Sequence, residues 1–292
     1  MSFQWSRSDT TIGDGFVRIV REQLAKAISD AEDVSTSPER RVHEARRRCK
    51  KLRALFRLIR TDFDSYKQEN AFVRDAARDL SGARDARVLG QTLAELLAWA
   101  GRPLPRSDKA GDDQAAVEAD VLRVFAGRMR ELEARSTHWS TDDIDARTLT
   151  RGLKHTYRRG RWTRRHAERQ RTDEAFHEWR KYAKYYWNQL GLLEECAEDI
   201  LPPAHKTAGD LADTLGLHHD LALLEGNLDE AVAVLGLDID LAFARDAIQR
   251  RQQEFEGRID ELGRQVFAET PKALKARFDA YLSGWSTREA AE

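Results

Sequence analysis

Apolar residues recur along most of the chain at spacings of three and four, as in Ala45, Cys49, Leu52, Phe56 and Ile59, and almost nowhere in strict alternation. That period belongs to α-helices, and no β-strand rhythm competes with it. The pattern predicts helices over about 15–32, 38–60, 65–81, 84–100, 112–135, 142–166, 172–194, 199–216, 218–234, 238–268 and 271–283. Ser37 followed by Pro38 reads as an N-cap and an N1 proline, and Pro202-Pro203 opens another helix. The clearest loop is Gly101 to Gly111, and a second join lies near Ser136 to Thr141, about halfway along. The expected fold is all-α.

The helical pattern repeats. Val42-His43-Glu44-Ala45-Arg46-Arg47-Arg48-Cys49-Lys50 aligns with Phe176-His177-Glu178-Trp179-Arg180-Lys181-Tyr182-Ala183-Lys184. At nearly the same shift, Leu80-Ser81-Gly82-Ala83-Arg84-Asp85-Ala86-Arg87 aligns with Leu215-Gly216-Leu217-His218-His219-Asp220-Leu221-Ala222. Two blocks in one order and spacing predict two related helical bundles, residues 1–140 and 141–292, packed about a pseudo-two-fold axis. Asp85 and Asp220 each follow an expected helix break, which suits a local role at a helix N-terminus.

On a helical wheel His43, Arg46, Arg47, Lys50, Arg53 and Arg57 fall in one arc of roughly 120°, opposite Ala45, Cys49, Leu52, Leu55, Phe56 and Ile59. Glu44 is the only acid between Val42 and Arg60. The second copy places His177, Arg180, Lys181 and Lys184 in the same arc, with Trp179, Ala183, Tyr186, Leu190 and Leu193 on the packed side. Its strip is shorter, continuing as Trp187, Asn188 and Gly191. A third basic stretch precedes it, in which His155, Arg158, Arg159, Arg165 and His166 share a face with Trp162. The helical spacing of Trp162, Trp179, Tyr185, Tyr186 and Trp187 with Leu and Ala suits core or groove wall better than a base-stacking platform.

Charge is segregated rather than in excess. Lys and Arg number 49 against 50 Asp and Glu, so an anion site has to come from where the cations lie. A solvated helix face would carry Glu at i+4 spacing to balance its cations. Here ten carboxylates against four arginines gather instead in Glu225 to Glu261. Cys49 and Cys196 are the only cysteines and lie in no CxxC spacing, which suits a reducing compartment. Residues 1–16 have no apolar stretch of signal-peptide length and no window approaches a membrane span, so the expected location is the cytoplasm, with no membrane partner.

At His43-Glu44-Ala45-Arg46-Arg47 through Lys50-Lys51-Leu52-Arg53, at Arg84-Asp85-Ala86-Arg87-Val88-Leu89, at Tyr157-Arg158-Arg159-Gly160-Arg161 and at Phe176-His177-Glu178-Trp179-Arg180-Lys181 with Lys184, the chain resembles the CHAD family, the conserved histidine α-helical domain. The resemblance implies two pseudo-symmetric halves around a basic groove that binds inorganic polyphosphate, with some members found on polyphosphate granules. Carried onto this sequence, it makes His43, Arg46, Arg47, Lys50, Arg53, Arg57, Arg158, Arg159, His177, Arg180, Lys181 and Lys184 the expected polyphosphate-binding residues. No catalytic residue, metal or cofactor is expected. Many members follow a triphosphatase domain that begins Glu-x-Glu-x-Lys. Met1 to Gly15 has no such signature, so a stand-alone binding domain is expected, and Tyr185-Tyr186-Trp187 stands where Leu-Arg-Tyr is common.

Two other functions fit parts of the sequence. His177, His219 and Asp220 occur in the order used by metal-dependent HD-type phosphohydrolases, although position 219 aligns with Arg84, which cannot ligate a metal. Nucleic acid is the second rival ligand, but no helix-turn-helix or RNP signature is present and the pI is near 6.7. Protonated His43 and His177 would add charge, so tighter anion binding is expected near pH 6 than at pH 8. Reversing Arg47 and Lys50 to Glu should abolish retention on polyphosphate with helicity intact; unaltered retention would refute the assignment of the first strip.

Overall fold

The computed structural model describes residues 3–80, 85–102, 112–235 and 239–287, and among them it contains eleven α-helices and no strand. In chain order these are α1 (Ile12–Glu32), α2 (Pro38–Leu58), α3 (Tyr66–Asp79), α4 (Asp85–Trp99), α5 (Asp112–Ser136), α6 (Ala146–Gln170), α7 (Asp173–Leu192), α8 (Leu201–Gly226), α9 (Leu228–Leu235), α10 (Leu241–Val266) and α11 (Pro271–Thr287). Side-chain oxygens open several of them. Thr11 accepts from the Asp14 N–H, Ser37 from Arg40 and Thr172 from Ala175, each satisfying a backbone donor that has no partner inside its helix. Asp145 and Thr148 form a reciprocal capping box at the start of α6, which moves that start to Ala146, four residues beyond the expected 142.

Two expectations are corrected. The helices expected at 199–216 and 218–234 are one helix up to Gly226, and the break falls at Asn227. Gly216 is buried inside that helix, where a single glycine weakens but does not end a helix held by packing on its neighbours. Asp220 therefore lies in the interior of α8, away from any helix N-terminus. Its counterpart Asp85 begins α4, while Arg84 and the loop residues 103–111 lie outside the described residues.

The wheel faces pack as the periodicity requires. Ala45, Cys49, Leu52, Leu55, Phe56 and Ile59 of the first strip's helix are fully buried, as are Trp179, Ala183 and Leu190 of the second. They belong to one large core that runs through both halves of the sequence. A smaller core joins α4 to the end of α8, α9 and α10, so α4 packs on helices that follow it by more than a hundred residues in the chain.

Three helices set the geometry of the basic faces: α2 packs on both α6 and α7, which pack on each other. The buried Gln189 amide of α7 donates to the Ala54 carbonyl of α2 at 3.0 Å. Gly152 lets α6 lie directly on α2, since a Cβ at that position would meet the Leu58 carbonyl oxygen at 1.7 Å. Gly152→Ala should therefore force α2 and α6 apart and destabilise the protein by about 3 kcal/mol, seen as a large fall in melting temperature. A variant that melts with the wild type would show that this crossing is loose.

Candidate anion-binding site

The predicted cations occupy the sides of α2, α6 and α7 turned away from the core. On α2, His43, Arg47 and Lys50 are exposed and Arg46, Arg53 and Arg57 are half-buried. On α7, Lys181 is exposed and His177, Arg180 and Lys184 are half-buried; on α6, Arg158 is exposed and Arg159 half-buried. The α2–α7 contacts through Ala54 and Gln189, and through Arg57 and Tyr185, lie in the C-terminal halves of both helices. The two histidine heads are thus the far ends of the strips, about 15–20 Å from the crossing along their own helices.

Aromatic rings join the three faces at the crossing. The Arg57 guanidinium lies 4.4 Å from the ring centre of Tyr185 on α7, and that of Arg53 lies 5.9 Å from the same ring. Tyr185 meets Tyr182 edge to face at 6.1 Å. Arg159 of α6 lies 5.4 Å from Tyr182 and 4.9 Å from Trp162, whose other neighbour is the stacked His166 ring at 5.4 Å. A line of alternating arginines and aromatic rings therefore runs from α2 across α7 to α6. Stacking fixes the plane of a guanidinium while leaving its N–H edge available.

Carboxylates reach only part of this surface. Arg47 is paired with Glu44 at 2.5 Å and Lys181 with Glu178 at 2.8 Å, the same i,i+3 bridge in both copies. The strips are thus not clear of intervening acids at these two positions, because Glu44 and Glu178 lie one turn back on the same helix edge. Such exposed pairs are worth well under 1 kcal/mol and yield readily to a stronger anion. Arg53, Arg57, Arg158 and Arg159 carry no carboxylate partner among the described residues; Arg53 Nε reaches the Asn70 amide oxygen at 3.5 Å instead.

Three half-buried imidazoles lie near these cations. His155, 3.4 Å from an Arg158 nitrogen, is pushed down to about 4 by burial and then by Arg60, Arg158, Arg159 and Arg57. His219 is likewise pushed to about 4 by burial, with Arg180 the strongest neighbouring charge. His177 is lowered by burial and by Lys181 and Arg180, so the unliganded ring stays neutral further below its ordinary value and the rise in anion binding it would bring is expected at lower pH.

The aromatic assignments divide. Trp179 and Tyr186 are core, but Trp162 is 50% exposed, and Tyr182 and Tyr185 seat arginines. The second strip ends at Lys184, because Trp187 stacks on His205 of α8 and the Asn188 amide donates to the Lys184 carbonyl. Sequence reasoning missed the seating role of Tyr182 and Tyr185, although both sit at the border of the α7 wheel beside Lys181 and Lys184. It also missed that His177 and His219 are in contact, with Nδ1 atoms 3.3 Å apart. Among the described residues no group of three or more His, Cys, Asp or Glu side chains is placed to hold a metal ion, and no helix is long and apolar enough to cross a membrane.

A histidine held neutral in the folded state contributes stability that is complete above its unfolded pKa, near 6.5, and is lost as pH falls toward its folded value, here about 4. Melting temperatures measured without ligand should therefore fall more steeply between pH 6.5 and 4.5 in the wild type than in His155→Gln. Parallel curves would mean that His155 is not held neutral by the fold.

The CHAD domain model matches residues 18–229, which include all of α2, α6 and α7. No curated protein and no solved structure matches the chain. By the extent of that family match, the chain belongs to the CHAD family.

Proposed function

We propose that this CHAD-family chain is a binding protein for inorganic polyphosphate, not an enzyme, and that the polymer lies along the arginine–aromatic line joining α2, α7 and α6. The observation that carries the reading is that Arg53, Arg57 and Arg159 are seated on Tyr185, Tyr182 and Trp162 without carboxylate partners among the described residues. An arginine paired with a carboxylate spends its donors on the protein. One held over a ring keeps its terminal N–H groups for a ligand even where its Nε is buried or taken, as in Arg57 and Arg53, and those groups can reach phosphate oxygens.

Polyphosphate carries about one charge per phosphate on a flexible chain, so affinity grows with the number of cations in line as condensed counterions are released. Arg57, Arg158 and Arg159 at the crossing form the centre of the proposed site. Arg46, Arg47, Lys50 and His43 extend it along α2, and Lys184, Lys181, Arg180 and His177 along α7. Association with polyphosphate granules is the cellular consequence of such binding.

The HD-type phosphohydrolase reading gains the contact between His177 and His219, yet that pair sits in the field of Arg180 and Lys181, which disfavours a bare dication and suits an anion. Nucleic acid presents the same charges at wider spacing, so polyphosphate should displace RNA at a far lower phosphate concentration.

The double substitution Arg57→Glu with Arg159→Glu tests the reading. It should weaken polyphosphate binding by about 100-fold or more, from two lost charge-assisted contacts and two introduced repulsions, with unchanged helical circular dichroism. Wild-type affinity in that variant would overturn the proposed site, and steady phosphate release by the wild-type protein would overturn the non-enzymatic reading.

A further inference from the structure

His219 lies outside the basic arcs, and nothing in the polyphosphate reading uses it. It sits on α8, and its Nδ1 is 3.3 Å from the Nδ1 of His177 on α7, with ring centres 4.4 Å apart. Two nitrogens of the same kind form a hydrogen bond only when one carries the hydrogen and the other offers its lone pair. The two rings must therefore be opposite tautomers. If His219 donates, His177 holds its hydrogen on Nε2; if His177 donates, its Nε2 is a bare lone pair.

The surroundings hold this pair in place. His218, the neighbour of His219, is buried against Phe176 at 4.5 Å, with its Nε2 3.6 Å from Glu256. Phe176 in turn precedes His177 on α7, so the same contact fixes the register of both helices where the two imidazoles meet. Burial and the neighbouring Arg180 and Lys181 keep both rings neutral, so a single hydrogen occupies the gap. His177 shares its arc of α7 with Arg180, Lys181 and Lys184, where a phosphate oxygen repels a lone pair and accepts from an N–H.

We propose that His219 is a positioning residue of the anion site: it donates its Nδ1–H to the Nδ1 of His177, holding that ring in the orientation and tautomer that offer Nε2–H to a phosphate oxygen. This inference rests on the polyphosphate reading. It gives the two copies different means of orienting their histidines, because the position aligned with His219 in the first copy is Arg84. The arrangement works as outer-shell carboxylates and carbonyls do for metal-binding histidines, where the partner of one ring nitrogen decides what the other can do.

The test uses the full chain with polyphosphate of defined length, comparing wild type, His219→Ala and His219→Asn. Binding should weaken by about three- to tenfold in His219→Ala, the size of one ordered hydrogen bond, and recover in His219→Asn, whose amide N–H can take the donor position. Long-range nitrogen–proton NMR spectra should show His177 of the wild type as a single Nε2–H tautomer, and as a mixture in His219→Ala. A wild-type His177 protonated on Nδ1, or a His219→Ala protein that binds as tightly as wild type, would overturn the inference and leave the polyphosphate reading standing. A wild type that does not bind polyphosphate at all would overturn both.

Discussion

The arrangement depends on where guanidinium groups rest. Arginines at a crossing of three helices repel one another, and proteins ordinarily quiet such repulsion with carboxylates. Here Arg53, Arg57 and Arg159 rest on the rings of Tyr185, Tyr182 and Trp162, which attract a cation without cancelling its charge. The surface thus stays positive while its arginines have rings to rest against. Beside them His155 is held neutral by burial first and then by Arg60, Arg158, Arg159 and Arg57.

The core is built to bring these groups together. Gly152 admits α6 onto the backbone of α2, and Gln189 ties α7 to α2 through a buried hydrogen bond. At the other end of α6, Arg171 takes the left-handed conformation that ends the helix, with φ of 49°, and binds Glu256 and Asp260 of α10. That short connection starts α7 at Asp173, capped by Thr172, and the same helix carries Tyr182 and Tyr185 to the arginines. Gly152 and Gln189 thus bear on how the three basic faces meet although neither carries a charge.

Much of this was legible in the sequence. The period of three and four in α2 and α7 separated a buried face from a basic one, and every core position it named on α2 is buried. Ser37-Pro38 marked the start of α2 because a cap and an N1 proline are local chemistry. The continuous α8 was hidden, since Gly216 reads as a breaker until the packing of α8 on α7 and α10 carries the helix through it. The aromatic seats and the His177–His219 contact were hidden for a related reason: each joins two helices, and a wheel describes one helix at a time. Glu44 and Glu178 were visible, but which cations they would pair with depended on side-chain reach.

The salt dependence of polyphosphate affinity tests most directly whether the three helices act as one surface. Each phosphate neutralised in line releases counterions, so the slope of log K against log salt concentration counts the contacts made together. A surface joined across α2, α7 and α6 predicts a slope of about −5 or steeper for a long chain, falling by about 2 when Arg57 and Arg159 are replaced by Ala. A slope near −1 in the wild-type protein, or one that the two replacements leave unchanged, would contradict the account.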